Sequence, residues 1–211
     1  MKNLIIIGAR GFGRLMCSLI KQDYRYEKEF IIKGFLDDKN DALNDFEGYP
    51  PIIGSVDNYE INNNDYFICA LGEPKYRKYY SDIIKNKGGK LYTYIHPTAI
   101  VHPNAKIGEG VIISIFCHIS NDSIIGDLSV IQGYCTVGHD VKIGYNCSLQ
   151  CYSFLGGFAE LEDNVMVHTR ATILPNIKVG ENAQIGAGSI CIKKVKANTS
   201  VFGIPAKKLE Y

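Results

Sequence analysis

Thr136-Val137-Gly138-His139-Asp140-Val141 runs without a gap into Lys142-Ile143-Gly144-Tyr145-Asn146-Cys147 and then Ser148-Leu149-Gln150-Cys151-Tyr152-Ser153. Each six-residue block has a large aliphatic second and a short residue last. Carried outward in both directions, the same frame divides Tyr94 to Val201 into eighteen blocks with no insertion. The second position reads Ile95, Val101, Ile107, Ile113, Ile119, Ile125, Ile131, Val137, Ile143, Leu149, Leu155, Leu161, Val167, Ile173, Val179 and Ile185, and weakens only at Cys191 and Ala197. The sixth is small in Ala99, Cys117, Cys135, Ala159, Ala171 and Ser189. A hexad that buries one aliphatic on a short strand and then turns is the repeat of a parallel β-helix. Three hexads close one triangular coil, so six coils are expected from the eighteen blocks, in a prism roughly 25–30 Å tall at about 4.8 Å per strand. Each coil buries its apolar side only against its neighbours, so a distinct segment is expected at either end.

Residues 1–93 follow another grammar. Lys2 to Ile7 reads as a buried parallel strand, Gly8-Ala9-Arg10-Gly11-Phe12-Gly13 as a tight turn and Arg14 to Lys21 as a helix. Phe30 to Leu36 forms a second strand that runs into Asp37-Asp38. Tyr66 to Leu71 is a third, followed by a helix from Lys75 to Lys87, and Lys90 to Tyr94 is a fourth. This alternation predicts a small α/β unit with a parallel, Rossmann-like sheet. Ligands of such sheets sit beyond the carboxyl ends of the strands, where a glycine turn and a helix N-terminus face an anion. The acidic pair Asp37-Asp38 is placed to accept hydrogen bonds from a ribose or a base. The glycines follow G-x-x-G-x-G rather than the dinucleotide G-x-G-x-x-G, and the sheet is short, so a mononucleotide or nucleotide diphosphate fits better than NAD. The bland reading is that the glycines only permit a tight strand-to-helix turn.

The 211 residues suit one large or two small domains, here 1–93 and 94–211, and a hydrophobic content of 46% is ordinary for a soluble chain. A net charge of +1 gives no electrostatic reason to expect nucleic acid or an anionic membrane as partner. The run Leu4-Ile5-Ile6-Ile7 is too short for a signal peptide and ends in glycine, which points to the cytoplasm. Seven cysteines without a C-x-x-C pair, several at inward positions, read as small buried hydrophobes rather than disulfides or zinc ligands.

Of the five histidines, His96 and His102 each precede a proline in the first coil, which suits turns; His118 opens a hexad, and His168 stands third in its own. His139 is fourth in its hexad, between Gly138 and Asp140. A carboxylate beside an imidazole fixes its tautomer and stabilises the imidazolium formed when it takes a proton. On a straight strand adjacent side chains point to opposite faces, so such a pair can cooperate only at a corner. A zinc site needs a close histidine pair, whereas the histidines nearest His139 are 21 and 29 residues away, neither a multiple of the coil. No metal is expected.

Ile5-Ile6-Ile7-Gly8-Ala9, Gly11-Phe12-Gly13-Arg14, Phe35-Leu36-Asp37-Asp38, Ile95-His96-Pro97-Thr98-Ala99, Gly138-His139-Asp140 and Gly203-Ile204-Pro205-Ala206-Lys207 together resemble bacterial sugar acyltransferases. These are the NeuD-type sialic acid O-acetyltransferases and the nucleotide-amino-sugar N-acetyltransferases. The resemblance spans essentially the whole chain. It implies a left-handed helix, a homotrimer with acetyl-CoA between two subunits, and a sugar nucleotide held by the N-terminal domain. Carried residue by residue, it makes His139 the general base and Asp140 its orienting partner, where some relatives have Glu. Gln132 matches an amide near the reacting amine. Gly157, eighteen residues after His139, matches an oxyanion donor. Thr169 and Ala187 match positions along the pantetheine arm, and Pro205, Lys207 and Lys208 match the tail near the nucleotide end of CoA. Gly8, Gly11, Gly13, Asp37 and Asp38 match the sugar-nucleotide site.

The expected reaction is direct acetyl transfer from acetyl-CoA to the amine of a nucleotide-linked 4-amino-4,6-dideoxysugar, in surface polysaccharide or glycan synthesis. O-acetylation of a sugar hydroxyl is the alternative within the same chemistry. A non-catalytic sugar-nucleotide-binding protein is the alternative outside it.

Overall fold

A computed structural model describes residues 1–209 of the 211. It divides into two compact units, Met1–Thr93 and Tyr94–Tyr211. Among the described residues, no helix is long and apolar enough to cross a membrane.

The first unit runs β1 (Lys2–Ile7), α1 (Gly11–Gln22), β2 (Phe30–Leu36), β3 (Ile52–Gly54), β4 (Asp65–Cys69), α2 (Pro74–Asn86) and β5 (Lys90–Leu91). The strands form one parallel sheet in the order β3-β2-β1-β4-β5. Leu4 to Ile7, Phe35, Leu36, Phe67 and Ile68 are buried, as expected for strands covered on both faces. α1 turns Gly13, Met16, Cys17, Leu19 and Ile20 inward at helical spacing. It begins at Gly11, earlier than Arg14, because Gly13 is part of its packing face: a Cβ there would stand 1.8 Å from the Gly8 carbonyl oxygen. Gly8 has φ +94°, a conformation that suits glycine. Edge strand β3 was not expected from the sequence; its few residues follow Pro50-Pro51 and carry no alternation. β5 ends at Leu91, and Tyr94–Ile95 already pairs with Ile112–Ile113 in the second unit.

At the amino ends of the strands Asp65 is buried in a polar knot. It accepts hydrogen bonds from Tyr59 Oη (2.8 Å), the Asn62 amide N–H (3.0 Å), Asn62 Nδ2 (3.2 Å) and Asn3 Nδ2 (3.2 Å), and Lys33 Nζ lies 3.2 Å away. Burial alone would raise its pKa, but these donors outweigh it and bring the carboxyl down to about 2.

The second unit is the left-handed β-helix. Its three faces have five, six and eight strands, the eighth being an antiparallel addition. Strands register at intervals of eighteen residues, as in Ile119 with Val137 and Val137 with Leu155. The aliphatics from Ile113 to Ile185 form one buried column, joined by Cys117, Cys135 and Cys147. The turn is made at the fifth position, where Phe116, Asp122, Leu128, Tyr134, Asp140, Asn146 and their successors take φ between +53° and +65°. Asn and Asp tolerate this left-handed region, while a bulky side chain pays of order 1–2 kcal/mol. One edge accordingly shows the ladder Asn146, Asn164, Asn182, Asn198, with amide bonds of 2.9 Å (Asn146 to Asn164) and 3.0 Å (Asn182 to Asn198). Another stacks Phe116, Tyr134 and Tyr152 at centroid separations of 5.1 and 4.9 Å, with Arg170 over Tyr152.

The unbroken frame to Val201 needs one correction. After Cys191 the chain drops two residues, so that Val195 bridges Val179, and Ser200 and Val201 pair with Gln184 and Ile185 at a spacing of sixteen. The shortening replaces Ala197, too small to fill the column, with Val195 and Val201, which are buried. Ser200–Phe202 then folds back on Lys207–Lys208 as an antiparallel pair. Gly203 O accepts from Ile190 N–H (3.1 Å), and Ala206 N–H donates to Ile190 O (2.8 Å), which covers the top strand of a second face.

Candidate active site

The first unit has a cleft of about 720 Å³ at the carboxyl ends of β1, β2 and β4. Gly8, Asp37 and Asp38 line it, together with Arg10, Tyr76 and Tyr80. Gly11 and Gly13 are not among the lining residues; they form the first turn of α1. Asp37 is committed to the backbone, accepting the Ala9 N–H at 2.8 Å and the Lys39 N–H at 3.0 Å, and so ties the end of β2 to the glycine turn. Asp38 Oδ2 accepts a short hydrogen bond from Tyr80 Oη. That bond, with burial, raises the Tyr80 phenol well above its ordinary pKa and keeps it a donor. α1 has no acidic residue in its first turn. Its leading N–H groups lack intrahelical acceptors by geometry, and an anion there is favoured. Tyr76 and Tyr80 escaped the sequence reading because nothing local marks a helix tyrosine as cleft-facing.

In the second unit His139 and Asp140 stand fourth and fifth in their hexad, after the strand Thr136–Val137. Asp140 has φ +58°, which swings its carboxylate back beside its neighbour. His139 Nδ1 lies 2.8 Å from Asp140 Oδ2. An ionised carboxylate only accepts, so Nδ1 carries the proton and Nε2 presents its lone pair. Both side chains are substantially open to solvent. One coil on, Gly157 follows the strand Phe154–Leu155. A Cβ on it would lie 2.7 Å from both Nε2 and Cε1 of His139, so the imidazole rests over bare backbone. The Gly157 N–H has no acceptor among the described residues. Phe158 places its ring edge-on to the imidazole, with centroids 5.1 Å apart at 87°.

The other sequence-derived positions lie elsewhere on the prism. Gln132, Thr169 and Ala187 follow strands Val130–Ile131, Met166–Val167 and Gln184–Ile185 of the eight-stranded face, whereas His139 and Gly157 follow strands of the six-stranded face. Gln132 Oε1 is 3.5 Å from Cys151 Sγ. The Thr169 N–H and hydroxyl both donate to Gln150 Oε1, at 3.4 and 3.3 Å. Pro205 follows a cis Ile204-Pro205 bond in the terminal hairpin, and Lys207–Lys208 forms its second strand on the same eight-stranded face. His96 binds Thr98 Oγ1 through Nδ1 at 2.8 Å, a turn contact. His102 and His118 meet Nε2 to Nε2 at 3.1 Å, a pairing between coils that their sequence positions did not reveal.

Residues 3–84 match the family description "PglD N-terminal domain", and residues 158–193 match "Bacterial transferase hexapeptide (six repeats)". Together the two matches describe a PglD-type N-terminal domain joined to hexapeptide repeats of the bacterial transferase type. The fold is shared along the whole chain with PerB from Caulobacter crescentus, solved with CoA and GDP-perosamine, at a TM-score of 0.89 and 23% identity over 100% of this chain and 98% of that one. The acetyltransferase domain of PglB from Neisseria gonorrhoeae, solved with acetyl coenzyme A, is 25% identical with a TM-score of 0.80, covering 99% of each chain. Serine acetyltransferase from Synechococcus elongatus is 31% identical over 118 residues, which are 51% of this chain and only 41% of that relative.

Proposed function

We propose that the chain transfers the acetyl group of acetyl-CoA to the C4 amine of a nucleotide-linked 4-amino-4,6-dideoxysugar. The observation that carries this reading is the His139–Asp140 pair packed against Gly157, whose N–H is unengaged among the described residues. His139 Nε2 removes a proton as the amine attacks the thioester carbonyl, and Asp140 holds the imidazolium. The Gly157 N–H donates to the oxyanion. As the tetrahedral intermediate collapses, the C–S bond breaks and His139 returns its proton to the departing sulfur, leaving the amide and CoA thiol. No acyl-enzyme is needed.

The cleft of the first unit holds the nucleotide, with the diphosphate at the N-terminus of α1, Gly8 beside it and the base or ribose toward Asp38. Asp37 serves by shaping the turn. The complexes of PerB with GDP-perosamine and of PglB with acetyl coenzyme A support both ligand classes. Gln132, Thr169, Ala187, Pro205, Lys207 and Lys208 serve the substrates from the eight-stranded face. A prism face separates them from His139 of the same chain, so the reading requires a neighbouring copy beside this one, as in a homotrimer. The setting is surface polysaccharide or glycan synthesis in the cytoplasm.

The test is release of CoA thiol from acetyl-CoA with dTDP-, UDP- and GDP-linked 4-amino-6-deoxysugars, each beside its 4-hydroxy counterpart. Turnover confined to an amino sugar and lost in His139→Ala is expected. Turnover on hydroxy sugars would move the assignment to O-acetylation, and binding without turnover would make this a sugar-nucleotide-binding protein.

A further inference from the structure

Phe158 occupies a position that neither its backbone nor its burial explains. It takes φ +60° at a hexad corner, where the residues on the same edge one coil before and after are Asp140 and Asn176, both suited to that conformation. Its side chain is left 52% exposed, so little apolar surface is gained in return. The other corner aromatics, Phe116, Tyr134 and Tyr152, stack on one another. Phe158 has Asp140 and Asn176 as its equivalents on the adjoining coils, and its ring packs against His139 instead. Its N–H also donates to the His139 carbonyl at 3.0 Å, which fixes the two residues relative to each other.

We infer that Phe158 is a positioning residue for His139, an inference that rests on His139 being the base. Three neighbours then divide the work on one imidazole. Asp140 sets the tautomer through Nδ1. Gly157 leaves room for the ring over its backbone. Phe158 sets the ring plane: the perpendicular wall at 87° blocks rotation about χ2 and holds the imidazole over the Gly157 backbone. A solvent-open histidine without that wall samples several orientations, and the fraction aligned for proton transfer falls.

The experiment compares Phe158→Asn, Phe158→Leu and Phe158→Tyr with wild type. Asn suits the left-handed corner, so Phe158→Asn is expected to melt at or above the wild-type temperature while kcat falls about 10- to 100-fold, with KM for both substrates nearly unchanged. Phe158→Tyr, which keeps the ring, is expected to restore most of kcat. Wild-type kcat in Phe158→Asn, equal losses in Phe158→Asn and Phe158→Tyr, or a change confined to KM would overturn the inference. Crystal structures supply a readout that does not depend on turnover: His139 should occupy one rotamer in wild type and Phe158→Tyr, and several in Phe158→Asn. An unchanged single rotamer in Phe158→Asn overturns the inference. Absence of wild-type turnover on every acceptor would instead overturn the acetyl-transfer reading.

Discussion

Gly157 sits one coil beyond His139, so close that a methyl group on it would lie 2.7 Å from the imidazole Nε2. Its φ is outside the left-handed range, so alanine is acceptable to its backbone. Gly157→Ala is therefore expected to keep the fold, with a melting temperature within a few degrees of wild type, and to lower kcat at least tenfold by displacing the imidazole. Circular dichroism melts and the CoA-thiol assay on the same preparations check this; a variant of normal activity would show that His139 and Gly157 do not share a reaction centre.

Removing the proposed base should separate chemistry from binding. His139→Ala is expected to lower kcat by about 10²–10⁴ while sugar-nucleotide affinity, measured by calorimetry, stays within a few-fold. Asp140→Asn keeps the size of the corner residue but loses the carboxylate that fixes the tautomer, and a smaller drop in kcat is expected. If affinity collapsed in His139→Ala along with kcat, its ring would be a binding element.

Two glycines only two residues apart in the sequence should behave oppositely. Gly13→Ala drives a Cβ to 1.8 Å from the Gly8 carbonyl oxygen, whereas nothing lies within 4 Å of a Cβ on Gly11. Gly13→Ala is expected to destabilise the first unit and abolish nucleotide binding. Gly11→Ala is expected to stabilise α1 by up to about 1 kcal/mol, from helix propensity, with the first unit intact. Chemical denaturation with nucleotide titration distinguishes them.

Asp65 makes the first unit acid-sensitive. Its folded pKa is depressed to about 2, below the unfolded value, so its contribution is present above the unfolded pKa and lost as pH falls through the folded one. The contribution is of order 2 kcal/mol. Melting temperature should fall steeply between about pH 4 and pH 2, and Asp65→Asn, less stable at neutral pH, should lose less over that interval. Parallel pH curves for the two proteins would exclude Asp65 as the cause.

The β-helix was legible because its period acts on every residue: an aliphatic in the second column has only one way to face. The frame failed after Cys191, where Ala197 kept the count but not the volume, and packing took Val195 and Val201 instead. The His139–Asp140 contact was legible from the place of the pair at a corner. Phe158 left a readable trace, since a large aromatic in a column of Asp and Asn is out of place, but its partner is nineteen residues away and only the coil geometry brings them together. The Asp38–Tyr80 contact, between residues 42 apart with no periodic relation, left no trace at all.

The short last coil and its returning hairpin decide what kind of object the β-helix is. A stack of parallel strands ends in bare N–H and C=O groups that any like-patterned strand can extend. Here Lys207–Lys208 closes one face with an antiparallel, charged strand, and Gly203 and Ala206 occupy the Ile190 strand of the next. The repeat that could have propagated as a fibre is closed at that end by its own hairpin, while the neighbour that the proposed chemistry needs stands at its side.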